Sequence, residues 1–287
     1  VYECGANRCA VIAGTGSNCT TETLHASKHA HKHGVRNLLL VDPYYNGPSS
    51  LEIRKEYVEP VAEALPDAQI VLYTIPGRTG CQLLPEDIAI LHKKYPNVQT
   101  VKEATGDIDN MRKVRKLCGE SLTILSGDDD KTFEMMTDPN IRAAGVVSVM
   151  SNIAPRACQQ MTQAILDDDM DAANRLRDAL APLFKIVTVK TEEETSFGPT
   201  TCKARNPLAV KTLMNLLGMP AGPCRGPLGK MTRTGFGVVL ETARTVWRES
   251  PEILKPIEEA FNVSIDERLA DSALHESLIY AGDPYSA

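Results

Sequence analysis

Lys102 closes the apolar run Thr100-Val101-Lys102 and opens Glu103-Ala104-Thr105-Gly106. A lysine at the C-terminal end of a buried parallel strand points into the mouth of an α/β barrel, where such folds keep their chemistry. Desolvation there lowers the pKa of the amine and frees it to attack a ketone. Tyr73 ends the strand before it, in Val71-Leu72-Tyr73-Thr74-Ile75-Pro76-Gly77-Arg78-Thr79-Gly80. Adjacent barrel strands bring their ends together, and imine formation needs proton transfers that a tyrosine hydroxyl can shuttle. Arg78 follows in the loop, where a guanidinium can hold a carboxylate bidentately. One strand earlier, Asp42-Pro43-Tyr44-Tyr45-Asn46-Gly47-Pro48 sets two tyrosines in a Pro/Gly-bounded loop suited to substrate or subunit contact. Taken singly, these are also a snorkelling lysine, a core aromatic, a surface arginine and a rigid loop; together they point to Schiff-base chemistry.

The elements that must position these residues follow from periodicity. Six short β-rich segments recur: Ala10 to Ala13, Asn37 to Val41, Ile70 to Tyr73, Thr100 to Lys102, Thr123 to Ser126 and Val146 to Val149. Their centres lie roughly 23–32 residues apart, the length of a βαβ unit. Between them the pattern predicts helices at Thr21 to His33, Ser50 to Ala64, Pro85 to Tyr95 and Asp107 to Cys118. Gly34 and Gly119 are stop signals, and Pro85 is a first-turn residue. Strand and helix in alternation imply a parallel sheet, and the fold class expected is a (β/α)8 TIM barrel with six βα units visible.

From Pro155 onward strands are expected to stop. Helices are predicted at Arg156 to Asp167, Met170 to Val187, Lys203 to Leu217, Arg233 to Arg248 and Pro251 to Phe261, followed by a weakly structured tail. The organisation expected is barrel strands three to eight in residues 1–154, a helical region in 155–261 and a tail in 262–287. Six units do not close an eight-stranded barrel, and the chain begins without an initiator Met. Two further βα units are therefore expected upstream, and this chain alone is expected to be a poor enzyme beside a longer parent.

Composition narrows the function classes. A formal net charge of -6, with no basic run interleaved with aromatics, argues against nucleic acid. No apolar stretch approaches the ~20 residues of a membrane span, and no secretory signal is visible. The eight cysteines form no CxxC pair and read as free thiols of a cytoplasmic protein. His25, His29 and His33 lie four apart on one helix face, but no Cys, Asp or Glu completes a metal set, so an exposed polar face is expected. Gly14-x-Gly16 is too short for a dinucleotide fingerprint and reads as a turn. Glu192-Glu193-Glu194 reads as a solvated loop or helix end.

Read together, six ordered motifs resemble the dihydrodipicolinate synthase and N-acetylneuraminate lyase superfamily over about Val11 to Met231. They are Ala13-Gly14-Thr15-Gly16-Ser17-Asn18, Pro43-Tyr44-Tyr45-Asn46, Tyr73 with Pro76-Gly77-Arg78-Thr79-Gly80, Lys102-Glu103-Ala104-Thr105-Gly106, Ser126-Gly127-Asp128-Asp129 and Gly145-Val146-Val147-Ser148. The Gly-Arg-Thr-Gly loop resembles the dihydrodipicolinate synthase branch. The resemblance implies an imine of pyruvate on Lys102, without metal or cofactor, and condensation with L-aspartate 4-semialdehyde. It assigns the proton relay to Tyr73 and Tyr45, the latter reaching into a neighbouring subunit, and the second substrate's carboxylate to Arg78. It places the Val147 carbonyl and Gly127 at the substrate, and an L-lysine effector at Asn18, Glu22 and Tyr44. A homodimer or homotetramer is implied. The family's Gly-Thr-Thr-Gly-Glu loop has no counterpart here, and Thr191 to Arg205 and the tail after Trp247 look longer than the short bacterial form. A pyruvate-releasing aldolase on the same scaffold and a non-catalytic homologue are the competing readings.

Overall fold

The computed structural model describes residues 2–5 and 8–285. Contacts divide the chain into two compact units, residues 1–147 and 148–287. In the first, six parallel strands pair in sequence order: β1 (Ile12–Gly14), β2 (Asn37–Val41), β3 (Gln69–Thr74), β4 (Val98–Glu103), β5 (Thr123–Ser126) and β6 (Gly145–Val146). The sheet is curled, with helices between successive strands. β3 buries the near-continuous apolar row Ile70, Val71 and Leu72, as expected of a strand covered on both faces, whereas β2 buries alternate residues, Leu38 and Leu40, and β4 buries Val98 and Val101.

The connecting helices lie close to the predicted spans. Thr20–Lys32, Pro85–Lys94 and Ile108–Cys118 are regular, and the last is opened by Asp107, whose carboxylate accepts from the backbone N–H groups of Asp109 and Asn110. The expected single helix from Ser50 to Ala64 is broken in a specific way. Ser50–Glu52 runs into a π-helical stretch, Ile53–Val58, before α-helix resumes at Glu59–Ala64. Pro60 has no N–H for the Glu56 carbonyl, which accepts from the Thr20 hydroxyl at 2.8 Å instead. Among the histidines, His29 and His33 stack with ring centroids 4.3 Å apart, and His31 pairs with Asp67 at 2.9 Å.

The second unit corrects the expectation that strands stop after Pro155. β7 (Thr188–Glu193) and β8 (Thr200–Arg205) form an antiparallel hairpin, pairing Thr188 with Arg205 through Glu193 with Thr200. Both strands are rich in β-branched residues, and the tight Thr195–Gly198 turn joins them. The helix expected from Met170 to Val187 accordingly ends at Lys185, and the one expected from Lys203 starts only at Leu208. Glu193 is not a solvated loop residue: its carboxylate accepts from the hydroxyls of Thr191, Thr232 and Thr234.

The tail is also better ordered than expected. Ile265–Ala270 and Ser272–Leu278 are helices capped by Ser264 and Asp271, and Ile279 pairs with Met231. Arg268 donates to the carbonyls of Leu216 and Asn215 at 2.7 Å each, capping the end of the Leu208–Leu216 helix. Ile265, Leu269 and Ile279 are buried. No helix of the described residues is long and apolar enough to cross a membrane.

One ionic cluster ties helix to helix in the first unit. Glu59, only 6% exposed, accepts from Lys94 at 2.7 Å, Tyr95 at 3.1 Å and Arg54 at 2.9 Å. Burial opposes the carboxylate's charge, but these bonds and the Lys55 charge outweigh it and hold the pKa at about 2, against 4.5 ordinarily. A folded pKa below the unfolded one gives stability that is present above the unfolded value and lost as pH falls through the folded value. Glu59→Gln should cost about 2 kcal/mol at pH 7 and flatten the loss of stability between pH 5 and pH 2. Urea unfolding at stepped pH checks this; parallel wild-type and variant curves in that window would refute it.

Candidate active site

Tyr73 and Lys102 are register partners on β3 and β4. Side chains alternate across a strand, so both stand on one face, while their neighbours Thr74 and Glu103 stand on the other. Glu103 accepts from Asn110 on the Ile108–Cys118 helix, which marks its face as the helix side. Lys102 and Tyr73 therefore face the inside of the curl.

Lys102 is buried, with Nζ 3.8 Å from the centroid of the Tyr73 ring. Burial pushes its amine below the usual lysine range, against the opposing pull of Asp128 and then Asp129. The Tyr73 hydroxyl is pushed up by burial, opposed by the nearby Arg78 charge and reinforced by Asp128. The site thus combines an amine biased toward its neutral, nucleophilic form with a phenol that keeps its proton.

Gly127 shapes the floor. Its N–H donates to the Glu103 carbonyl at 2.7 Å, and a Cβ there would stand 2.7 Å from the Cβ of Ala104 and 3.0 Å from Cε of Lys102. Only a residue without a side chain lets β5 approach the lysine this closely. Val147 follows β6, its N–H donating to the Ser126 carbonyl at 2.8 Å.

Arg78 is exposed on the short Pro76–Thr79 helix, whose Gly80 cap has φ 73. Tyr45 lies elsewhere: it is 90% exposed, at φ 81, on the loop after β2. Within one chain the structure therefore unites Tyr73, Lys102 and Gly127 and leaves the Tyr45 ring in solvent. Glu22 and Tyr44 are exposed and Asn18 is half-buried; Glu22 accepts from the Ser17 hydroxyl at 2.6 Å, and Asn46 donates to the Asn18 carbonyl at 3.5 Å. Among the described residues no His/Cys/Asp/Glu group is arranged to hold a metal.

Residue-by-residue reading of the sequence missed two acids. Asp128 is pushed up by burial and by Asp130 and Asp129, opposed by Lys102, so it belongs to the lysine's electrostatic surroundings. Glu103 is fully buried and pushed up to about 7 by desolvation, against hydrogen bonds from Thr105 and Asn110. The signal for both was present in an acidic residue within two positions of a strand's end.

The dihydrodipicolinate synthetase family model matches residues 1–239 of the chain. Similar curated proteins include the 4-hydroxy-tetrahydrodipicolinate synthase of Pelobacter propionicus, 37% identical over 238 residues, covering 82% of this chain and 75% of the relative. That of Methanothrix thermoacetophila is 39% identical over 223 residues, covering 77% and 69%. Among solved structures, dihydrodipicolinate synthase from Aquifex aeolicus superposes with a TM-score of 0.75 at 32% identity, over 88% of this chain and 79% of that one. The Cyanidioschyzon merolae enzyme with lysine bound gives 0.74 at 31%, over 84% and 76%.

Gly127→Ala tests the floor of the site. The added methyl should displace Lys102, destabilise the fold by about 1–3 kcal/mol and slow borohydride trapping of a 2-oxo acid on Lys102 by tenfold or more. Trapping at the unchanged rate would show that the close approach of β5 to the lysine does not matter.

Proposed function

The chain belongs to the dihydrodipicolinate synthetase family, and we propose that it condenses pyruvate with L-aspartate 4-semialdehyde to 4-hydroxy-tetrahydrodipicolinate, a step of lysine and diaminopimelate biosynthesis. The observation that carries this reading is the buried Lys102 amine facing the Tyr73 ring at 3.8 Å. The neutral amine adds to the C2 carbonyl of pyruvate, and the carbinolamine expels water as Tyr73 delivers a proton to the leaving oxygen. The imine then loses a methyl proton, giving an enamine whose carbon attacks the aldehyde of the second substrate. Attack of that substrate's amino group on the imine carbon closes the ring and releases Lys102. The imine itself accepts the electron pair, so the sequence of steps calls for no cofactor.

Arg78 takes the carboxylate of L-aspartate 4-semialdehyde, because its charge reaches Tyr73 while its guanidinium stays accessible. Val147 and Gly127 line the substrate's position through backbone groups. Tyr45 completes the relay in a neighbouring copy, a role that suits a tyrosine held in solvent on a loop with positive φ. The active form is then a homo-oligomer, and the first unit of each chain is part of a (β/α)8 barrel. L-lysine binds at Asn18, Glu22 and Tyr44, where Glu22 offers a carboxylate to its ammonium group.

Three measurements test this reading. Lys102→Ala should abolish the borohydride-trapped pyruvate adduct, and peptide mapping of the wild type should place it on Lys102; an adduct on another lysine would overturn the assignment. Arg78→Ala should leave that adduct intact and lower kcat/KM for L-aspartate 4-semialdehyde on the order of 10²-fold; unchanged kinetics would favour a pyruvate-releasing aldolase. Glu22→Ala should raise the lysine concentration for half-inhibition about tenfold or more, and inhibition unaltered by the substitution would remove the effector site from this region.

A further inference from the structure

Asp42 is 3% exposed at the end of β2, and among the described residues no cation pairs with it. Directly after it comes the loop that carries Tyr44 and Tyr45. Its position continues the strand pairing by one residue, since its own N–H donates to the Tyr73 carbonyl at 2.9 Å. Its carboxylate reaches in a different direction, accepting from the Leu83 N–H at 3.1 Å. Leu83 ends the segment that returns from the Arg78 turn.

Two further stitches join the same pair of loops. The Cys81 thiol donates to the Pro43 carbonyl at 2.9 Å, and the Tyr45 N–H donates to the Thr79 carbonyl at 3.3 Å. The Arg78 turn is itself held by the Thr79 hydroxyl, which lies 2.8 Å from the Cys81 carbonyl and 3.1 Å from that of Ile75. Every one of these bonds except the Asp42–Leu83 bond is made by a neutral donor to a backbone carbonyl. Asp42 alone contributes a carboxylate, and a carboxylate accepting a backbone N–H makes the stronger bond.

A buried carboxylate without a cation is costly, so a neutral residue would serve packing better there. We propose that Asp42 is a positioning residue: its carboxyl fastens the Tyr44–Tyr45 loop to the Arg78 turn, so that the relay tyrosine and the carboxylate-binding arginine keep one mutual geometry. This deepens the reading of the site given above and rests on it for the roles of Tyr45 and Arg78.

The acid–base surroundings of Asp42 set the pH at which the Leu83 bond becomes charge-assisted. Burial pushes its pKa up to about 7, opposed by the Leu83 N–H and the Thr74 hydroxyl. The groups that face it are the Tyr57 phenol from the Ile53–Val58 stretch, the Thr74 hydroxyl from β3, and the Cys81 thiol and Leu83 N–H from the segment after the Arg78 turn. None of them is a cation. Tyr57 is in turn pushed up to about 12, by burial first, and its hydroxyl donates to the Val41 carbonyl at 2.9 Å rather than to Asp42. A raised carboxyl pKa means that the folded state favours the protonated form. That contribution is complete below the unfolded value near 3.8 and is lost as pH rises through about 7.

The test compares Asp42→Asn, which keeps an acceptor oxygen for the Leu83 N–H, with Asp42→Ala, which removes it. Both are made in the full chain. Amide hydrogen exchange is followed in peptides covering residues 43–48 and 76–84, alongside pyruvate-adduct trapping and the KM for L-aspartate 4-semialdehyde. Asp42→Ala is expected to speed exchange in both peptides, to leave the adduct on Lys102 and to raise that KM about tenfold or more. Asp42→Asn is expected to restore slow exchange and a KM within about threefold of the wild type, and to flatten the KM–pH profile near pH 7. Unchanged exchange in Asp42→Ala, or an equal rise in KM for both variants, would overturn the proposal. If Asp42→Ala fails to fold, Asp42→Asn alone decides through its pH profile: a profile like that of the wild type refutes the role. Hydrogen exchange does not depend on the substrate, so faster exchange in an inactive wild-type background would instead place the failure in the assigned reaction.

Discussion

An amine at the end of β4 loses most of its water when β5 closes against it at Gly127, and the face of the Tyr73 ring returns only part of that solvation. The balance lowers the pKa of the amine, although Asp128 and Asp129 pull the other way. Everything else in the first unit is compatible with keeping that balance. The parallel register sets Tyr73 opposite Lys102, and the absence of a side chain at position 127 permits the close approach. Asp128 stands near enough to be felt, and burial pushes its own carboxyl up.

The same alternation that turns Tyr73 and Lys102 inward turns a second row outward. Thr74 and Glu103 are register partners, as are Glu103 and Ser126, and all three are buried under the helices. Glu103 ties the loop after β4 through Thr105 and the Ile108–Cys118 helix through Asn110. Ser126 is held between the Asp128 carbonyl, to which it donates, and the Thr132 hydroxyl. A reactive inner row backed by hydrogen-bonded Glu103 and Ser126 on the outer row helps to hold the site rigid, because the loops after β4 and β5 leave their strands already anchored.

The second unit follows a different logic. Its core is helix against helix around Leu180, Leu183, Leu213, Val239 and Leu254, and its hairpin is tied to the Arg233–Glu249 helix by threonine hydroxyls on Glu193. The segments that looked longer than a short family member, Thr191 to Arg205 and the tail after Trp247, are both folded here. The hairpin was hidden from periodicity because helix-compatible residues flank it and no Asn-Gly or Asp-Gly turn announces it. The tail was hidden because its helices are short, and their stability comes from packing and caps such as Ser264 and Asp271 rather than from propensity.

The sequence by itself determined the parallel alternation of β2 to β5, since a buried strand must be an apolar run and a crossover helix must have an amphipathic one. It also determined which residue types stand at the strand ends and in the turn after β3, hence the lysine, the tyrosine and the arginine, and the family to which their order belongs. Only the tertiary structure decided that Tyr73 and Lys102 share a face at contact distance, that Gly127 is the point of closest approach, and that Tyr45 stands in solvent apart from them. The same holds for Asp42 and Glu103, whose burial depends on which helices and loops cover the strand ends. Such facts concern distances between residues far apart in the chain and the water excluded between them. A linear pattern encodes neither, because pairing register and desolvation exist only once the strands have met.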